Sequence, residues 1–167
     1  LRKLALLLPF LSLNCFAEDG MQDNNYSVGL GIGAMYAGLG TNFSLVSKND
    51  LKYISAGCVE YNSSTKGTCG FGLGWIKTDL FDTNSNKHGF GLYVSLTGSE
   101  SYVSYTSSST RDESFRHDSD IYGAGVSYTY FMNGIDEPGT TFGLSIHATN
   151  ADFEDSYGGF FQVGYQF

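Results

Sequence analysis

The chain is poor in exactly the features that would make most functional assignments easy. It has two prolines, three cysteines and one tryptophan in 167 residues. No apolar run reaches the roughly 20 residues that a membrane-spanning helix needs, which excludes helical spanning and nothing else. Basic residues are scarce, 9 Lys and Arg against 17 Asp and Glu, for a net charge of −8. A nucleic-acid partner is therefore not expected, because phosphate binding requires clustered cations. A metal centre is not expected either. Two of the cysteines, Cys58 and Cys69, stand without a nearby pair of histidines, and two sulfurs are too few ligands. No cofactor is expected.

What the chain has in abundance is glycine (22), phenylalanine (13) and tyrosine (12). Residues 1–17 read as an export signal: Arg2 and Lys3, then the apolar stretch Leu4 to Leu13, then Cys15-Phe16-Ala17 at a cleavage site. The alternative, a lipoprotein anchored at Cys15, would want a small residue where Asn14 stands. The expected product is a single domain over residues 18–167. Eight stretches alternate in period two, near 26–35, 39–48, 51–61, 68–80, 88–98, 120–131, 140–149 and 157–167. Turn chemistry separates them. Lys48-Asn49-Asp50, Asp82 to Lys87 and Met132 to Gly139 read as turns at one end. Met35 to Gly38, Asn62 to Gly67, residues 99–119 and Asn150 to Ser156 read as loops at the other.

The two faces of these stretches differ. One carries Val28, Leu30 and Ile32, Phe71, Leu73 and Trp75, Phe90, Leu92, Val94 and Leu96, and Phe142, Leu144 and Ile146. The opposite one carries Gly29, Gly31 and Gly33, Gly70, Gly72 and Gly74, Asn42, Ser44, Gln162 and Gln166. Small and polar residues suit a cramped lumen, and bulky apolar ones suit lipid. The fold expected is all-β: an eight-stranded antiparallel up-and-down transmembrane β-barrel in the cell outer membrane, reached through the periplasm. A secreted sandwich would use the bulky face as its core, but would then leave glycine-rich faces in water, where they pack nothing. With glycines inward, Tyr53, Tyr61, Tyr93, Phe131 and Phe160 are expected to fill the lumen. A lumen left partly empty would instead take a small apolar ligand or act as a narrow pore, although an ion-selective pore lacks inward charges.

Gly159-Phe160-Phe161-Gln162-Val163-Gly164-Tyr165-Gln166-Phe167 ends the chain, with Phe161, Val163, Tyr165 and Phe167 at alternate positions. This ending resembles the assembly signal of outer-membrane barrels, and Val-Gly-Tyr-Gln-Phe resembles the ending of the OmpX/Ail group of eight-stranded barrels. The resemblance in detail covers about the last ten residues. It implies outer-membrane lipid, lipopolysaccharide and the barrel-assembly machinery as partners of a monomer, and a hairpin that projects from the membrane.

That hairpin is also legible in the residues. His88 to Phe131 is too long for two wall strands. Ser101 to Thr106 keeps strand character, and about ten further residues per arm would reach roughly 30 Å. Tyr102, Tyr105, Arg111, Phe115 and Arg116 are the candidate contact residues, with strand addition to a host or envelope protein as the mode. The alternative is a disordered polar loop. His117, Asp118 and Asp120 are weak candidates for a divalent cation, since loop charges are usually just solvated.

Three smaller motifs complete the reading. Cys58 and Cys69 sit symmetrically about Ser63–Ser64, so a hairpin brings them face to face, and an oxidising periplasm permits a disulfide. Gly29-Leu-Gly31-Ile-Gly33-Ala34 matches a nucleotide fingerprint in form, but no helix follows to receive a phosphate. His147-Ala148-Thr149-Asn150 resembles the His-x-Ser-Asn segment of outer-membrane lipid A deacylases. That resemblance implies His147 as base and Thr149 as nucleophile of an acyl hydrolase. Threonine replaces serine, and the acid expected on the last strand is missing; Glu154 lies in a loop instead. The expected function is accordingly non-enzymatic: an envelope-structural or adhesin-like role.

Overall fold

The computed structural model describes residues 25–60, 67–80, 85–108, 111–152 and 155–167, with side chains omitted at 60 and 102–118. The expected export signal, Tyr61 and Glu154 lie outside those residues. Eight strands run in chain order around a closed antiparallel barrel: β1 Asn25–Gly33, β2 Gly38–Ser47, β3 Asp50–Glu60, β4 Thr68–Lys77, β5 His88–Ser108, β6 Arg111–Phe131, β7 Gly139–Thr149 and β8 Tyr157–Gln166. Among the described residues the only helix is a single 3-10 turn, Ala34–Tyr36.

The registers fix the barrel's shape. Starting at Gly29, paired residues lead through Asn42, Ser55, Gly72, Ser95, Gly123 and Thr149, and return to β1 ten positions further along. Eight strands with a stagger of ten residues tilt by about 40° from the barrel axis. Such a barrel has an interior just wide enough for side chains to fill.

The division of faces is the expected one. Phe71 is 72% exposed, Leu92 64%, Leu144 53% and Val163 51%, whereas Asn42, Ser44, Ser127 and Gln162 are buried inside. Tyr26, Trp75, Tyr128 and Tyr165 stand on the outer face towards the short-turn end, where Trp75 donates its indole N–H to Asp50 at 2.7 Å. One bulky residue departs from the pattern. Leu96, expected on the outer face, is fully buried. A bulge between Leu96 and Gly98 breaks the alternation there, since an extra residue re-aims the side chains beside it.

The larger correction concerns Met35 to Gly38. These residues were expected to form an outer loop, yet Ala34, Met35, Tyr36 and Ala37 are at most 1% exposed. The β1–β2 connection folds back into the lumen as a plug. Gly33 (φ 116°) and Gly38 (φ 94°) make the two sharp bends, in a backbone region that side chains other than glycine rarely adopt. The Tyr36 ring then lies against the backbone of Gly31 and Gly164, where an added Cβ would come within 2.6 Å of its Cε2. Its hydroxyl shares a 3.0 Å hydrogen bond with Thr141 Oγ1. Gln162 holds Met35 by accepting its backbone N–H at 3.2 Å, and itself donates to Thr129 Oγ1 at 3.1 Å. Tyr53, Tyr93 and Phe131 help fill the lumen as expected, with Phe160 partly buried beside them. Val46, Leu51, Ile76 and Ile135 complete the packed centre, Ile135 being tucked in from the β6–β7 turn. The lumen is occluded by the chain's own turn.

Cys58 and Cys69 face each other across β3 and β4 and are joined as a disulfide, as expected. The bond closes a loop with a sequence separation of 11. In the chain-entropy account such a loop is worth about 3 kcal/mol. Replacing both cysteines by serine is expected to lower the unfolding free energy by up to about that amount. Denaturant titrations of the oxidised protein and the double variant, run in parallel, would check it.

Candidate functional site

Two regions stand apart from the packed barrel: the lumen above the plug, and the extended β5–β6 hairpin.

In the lumen, period two places His147 and Thr149 on the inward face of β7. His147 is buried, and its Nδ1 lies 2.8 Å from the Tyr93 hydroxyl. Its ring packs on Phe160 with centroids 5.2 Å apart. Gly123 and Gly158 flank the imidazole, where a side chain would collide with it. The Thr149 hydroxyl donates to the Asp155 carbonyl oxygen at 2.9 Å and accepts the Ala151 N–H at 3.4 Å. His147 and Thr149 are neighbours on one face, but each is bonded elsewhere. A base–nucleophile pair needs a bond between the two, which this arrangement does not contain. Above them lies a cavity of about 290 Å³, lined by Thr97, Ser99, Ile121, His147, Thr149 and Phe160, with Asp155 at its exposed edge.

The second region begins where β5 and β6 outrun their neighbours. β4 pairs with β5 only as far as Ser95, and β7 pairs with β6 only as far as Gly123. Beyond the bulge, Ser99–Ser108 of β5 pair with Asp120–Arg111 of β6 without a break. Ten residues per arm correspond to about 33 Å of two-stranded ribbon. Tyr102 stands opposite His117, Val103 opposite Arg116, Ser104 opposite Phe115, Tyr105 opposite Ser114, and Ser108 opposite Arg111. The register thus distributes the candidate contact residues along the ribbon; their side chains, and those of His117 and Asp118, lie outside the described residues. At the root of the ribbon, buried Glu100 accepts the Asp152 N–H at 3.1 Å, tying β5 to the β7–β8 loop.

The alternating residues near the C-terminus all stand on the outer face: Phe161 is 83% exposed, Val163 51%, Tyr165 42% and Phe167 60%. The residues that reading the sequence missed are Met35 and Tyr36 of the plug; Asn42 and Gln162, on the inner face as expected, clamp it through the Met35 backbone. One signal was present. Gly33-Ala-Met-Tyr-Ala-Gly38 contains no charged or amide residue, and such a composition belongs in an interior rather than a solvated loop.

These features define a class: a closed eight-stranded antiparallel barrel with an apolar exterior, a plugged lumen and one long projecting hairpin. Compared with family models, with curated proteins and with solved structures, the chain matches none.

Proposed function

We propose that this protein is a small barrel of the bacterial outer membrane, monomeric and non-enzymatic, whose working part is the β5–β6 ribbon at the cell surface. The observation that carries the reading is the ribbon itself. Beyond Ser101 and Asp118, the described strand pairing of β5 and β6 is with each other alone, so both outer edges of the ribbon face away from the barrel sheet. An unpaired edge is a template for a partner's strand, and proteins usually blunt such edges when they serve no purpose. The barrel supports the reading as its anchor: large apolar side chains ring its outside, as a lipid-facing wall requires. The plug argues against a pore, because Tyr36 and Met35 stand fully buried across the lumen. The partners fitting this role are outer-membrane lipid and lipopolysaccharide around the wall, the assembly machinery at Phe161 to Phe167, and a host or envelope protein at the ribbon.

Replacing residues 101–118 with a short Gly-Ser turn tests it. The expected result is a barrel that still shifts its gel mobility on heating, while cells displaying it lose binding to host surfaces or envelope partners. Unchanged binding would remove the ribbon from the function. Acyl release from lipid A by the purified protein, lost in His147→Ala, would favour the hydrolase instead.

A further inference from the structure

The plug leaves a gap in the wall. β1 pairs with β8 through a short stretch, Val28–Ile32 against Phe167–Val163. At Gly33 the chain leaves the wall and turns inward, beside Gln162. On its other side β8 remains paired with β7 up to Tyr157. The segment Tyr157–Phe161 therefore has a neighbour on one edge and no described strand on the other, a stretch of about 16 Å. Its two outward aromatics, Tyr157 at 80% and Phe161 at 83%, are the most exposed large hydrophobic residues described. Ile32 (56%) and Leu39 (66%), on the shortened β1–β2 hairpin, form the floor of the notch. The same strand segment lines the cavity above the plug, through Gly158, Gly159 and Phe160. Tyr157 lines the cavity as well, so notch and cavity share this stretch of β8 as a common wall.

We infer that this notch and cavity together bind one amphiphile: a hydroxylated, sugar-like head in the cavity and an alkyl chain in the notch. The inference rests on the membrane reading above, because the notch opens onto the apolar exterior. Chemistry selects the head. Thr97 and Thr149 direct their hydroxyl hydrogens to the carbonyl oxygens of Ile121 and Asp155; Thr97 Oγ1 keeps its lone pairs, Thr149 Oγ1 gives one to the Ala151 N–H, and Ser99 Oγ accepts from Thr68 Oγ1. Asp155 adds an acceptor, and the described lining contains no Lys or Arg. A described lining of hydroxyls, an imidazole and a carboxylate, with no cation among them, suits a hydroxylated ligand and disfavours phosphate or carboxylate. Phe160 supplies an apolar surface for the ring, and about 290 Å³ suffices for one small ring. Chemistry selects the tail as well. An unpaired strand edge next to lipid needs polar partners for its backbone groups, and the junction of head and chain brings oxygen atoms to that level while the chain runs along Phe161, Ile32 and Leu39. A partner strand fits less well, because Gly33 and Gly38 close the gap after five residues.

The full chain in phosphatidylcholine nanodiscs, followed by the amide signals of Gly158 and Phe160 and the imidazole of His147, decides the matter. Octyl glucoside is expected to shift all three saturably. Glucose should bind at least about tenfold more weakly, and octyl dimethylamine oxide should move Phe161 without moving His147. Equal responses to the amine oxide would reduce the effect to detergent contact, and equal affinity for glucose would remove the notch from binding; either result overturns the inference. Thr149→Val and Phe161→Ala should each weaken octyl glucoside by about tenfold, with Tyr26→Ala as an unaffected control. The three-probe comparison on the unaltered protein needs no variant to fold. Failure of the membrane reading is distinct, because the chain would then not co-elute with the nanodiscs at all.

Discussion

Replacing Tyr36 by alanine should lower the stability of the barrel by about 3–5 kcal/mol, the range for removing a large ring from a packed interior. Tyr36 is fully buried in the plug, between Gly31 and Gly164, with its hydroxyl on Thr141. On the side formed by Gly31 and Gly164 the wall is bare backbone, with no side chain there to relax into the space. Tyr36→Phe separates packing from polarity. It keeps the ring and loses the 3.0 Å bond, leaving the buried Thr141 hydroxyl without that partner, at a cost of about 1 kcal/mol. The converse change, Gly164→Val, places a side chain where the Tyr36 ring lies, so the plug must move out or the wall must bend. Urea titrations in micelles should rank Gly164→Val and Tyr36→Ala as severe and Tyr36→Phe as mild. Tyr36→Ala matching Tyr26→Ala, a tyrosine 70% exposed on the outer face, would mean that the plug contributes nothing to the fold.

The second large effect concerns the outer wall. Leu92→Arg and Leu144→Arg each place a cation on the apolar exterior, at positions 64% and 53% exposed. In water, an exposed leucine replaced by arginine changes stability by less than about 0.5 kcal/mol. Facing the middle of a bilayer, the same change costs about 2–4 kcal/mol. Leu92 and Leu144 sit on β5 and β7, either side of Val126 on β6, and line one broad apolar groove with it. The double variant should therefore lose most of its folded fraction in lipid vesicles, read as the band that shifts on heating. Ser145, next to Leu144 on β7, and Ser127, next to Val126 on β6, face the lumen and serve as the orientation control. Full tolerance of both arginines in vesicles would place the exterior in water and remove the anchor from the proposed function.

How much of this was readable before the structure follows from the range of each interaction. Strand positions, the two faces and the hairpin beyond residue 98 depend on alternation between neighbours, so they appear in the sequence itself. The pairing of Cys58 with Cys69 needed only one hairpin, whose centre its symmetric spacing indicates. Leu96 was misread because a bulge costs one residue of phase and leaves no mark in composition. The fate of His147 and Thr149 was also unreadable: their partners, Tyr93 and Asp155, are chosen by the closure of the barrel and by a loop.

The amino-acid order alone determined an eight-strand wall with bulky residues on one side and glycine on the other, because period two is a local property of the backbone. Only the tertiary structure decided what the glycines are for. Gly31 and Gly164 lie 133 residues apart in the chain and meet around one tyrosine from a turn that folds inward. That contact, and the gap it leaves beside β8, exist only once the sheet has closed on itself and brought the first strand against the last.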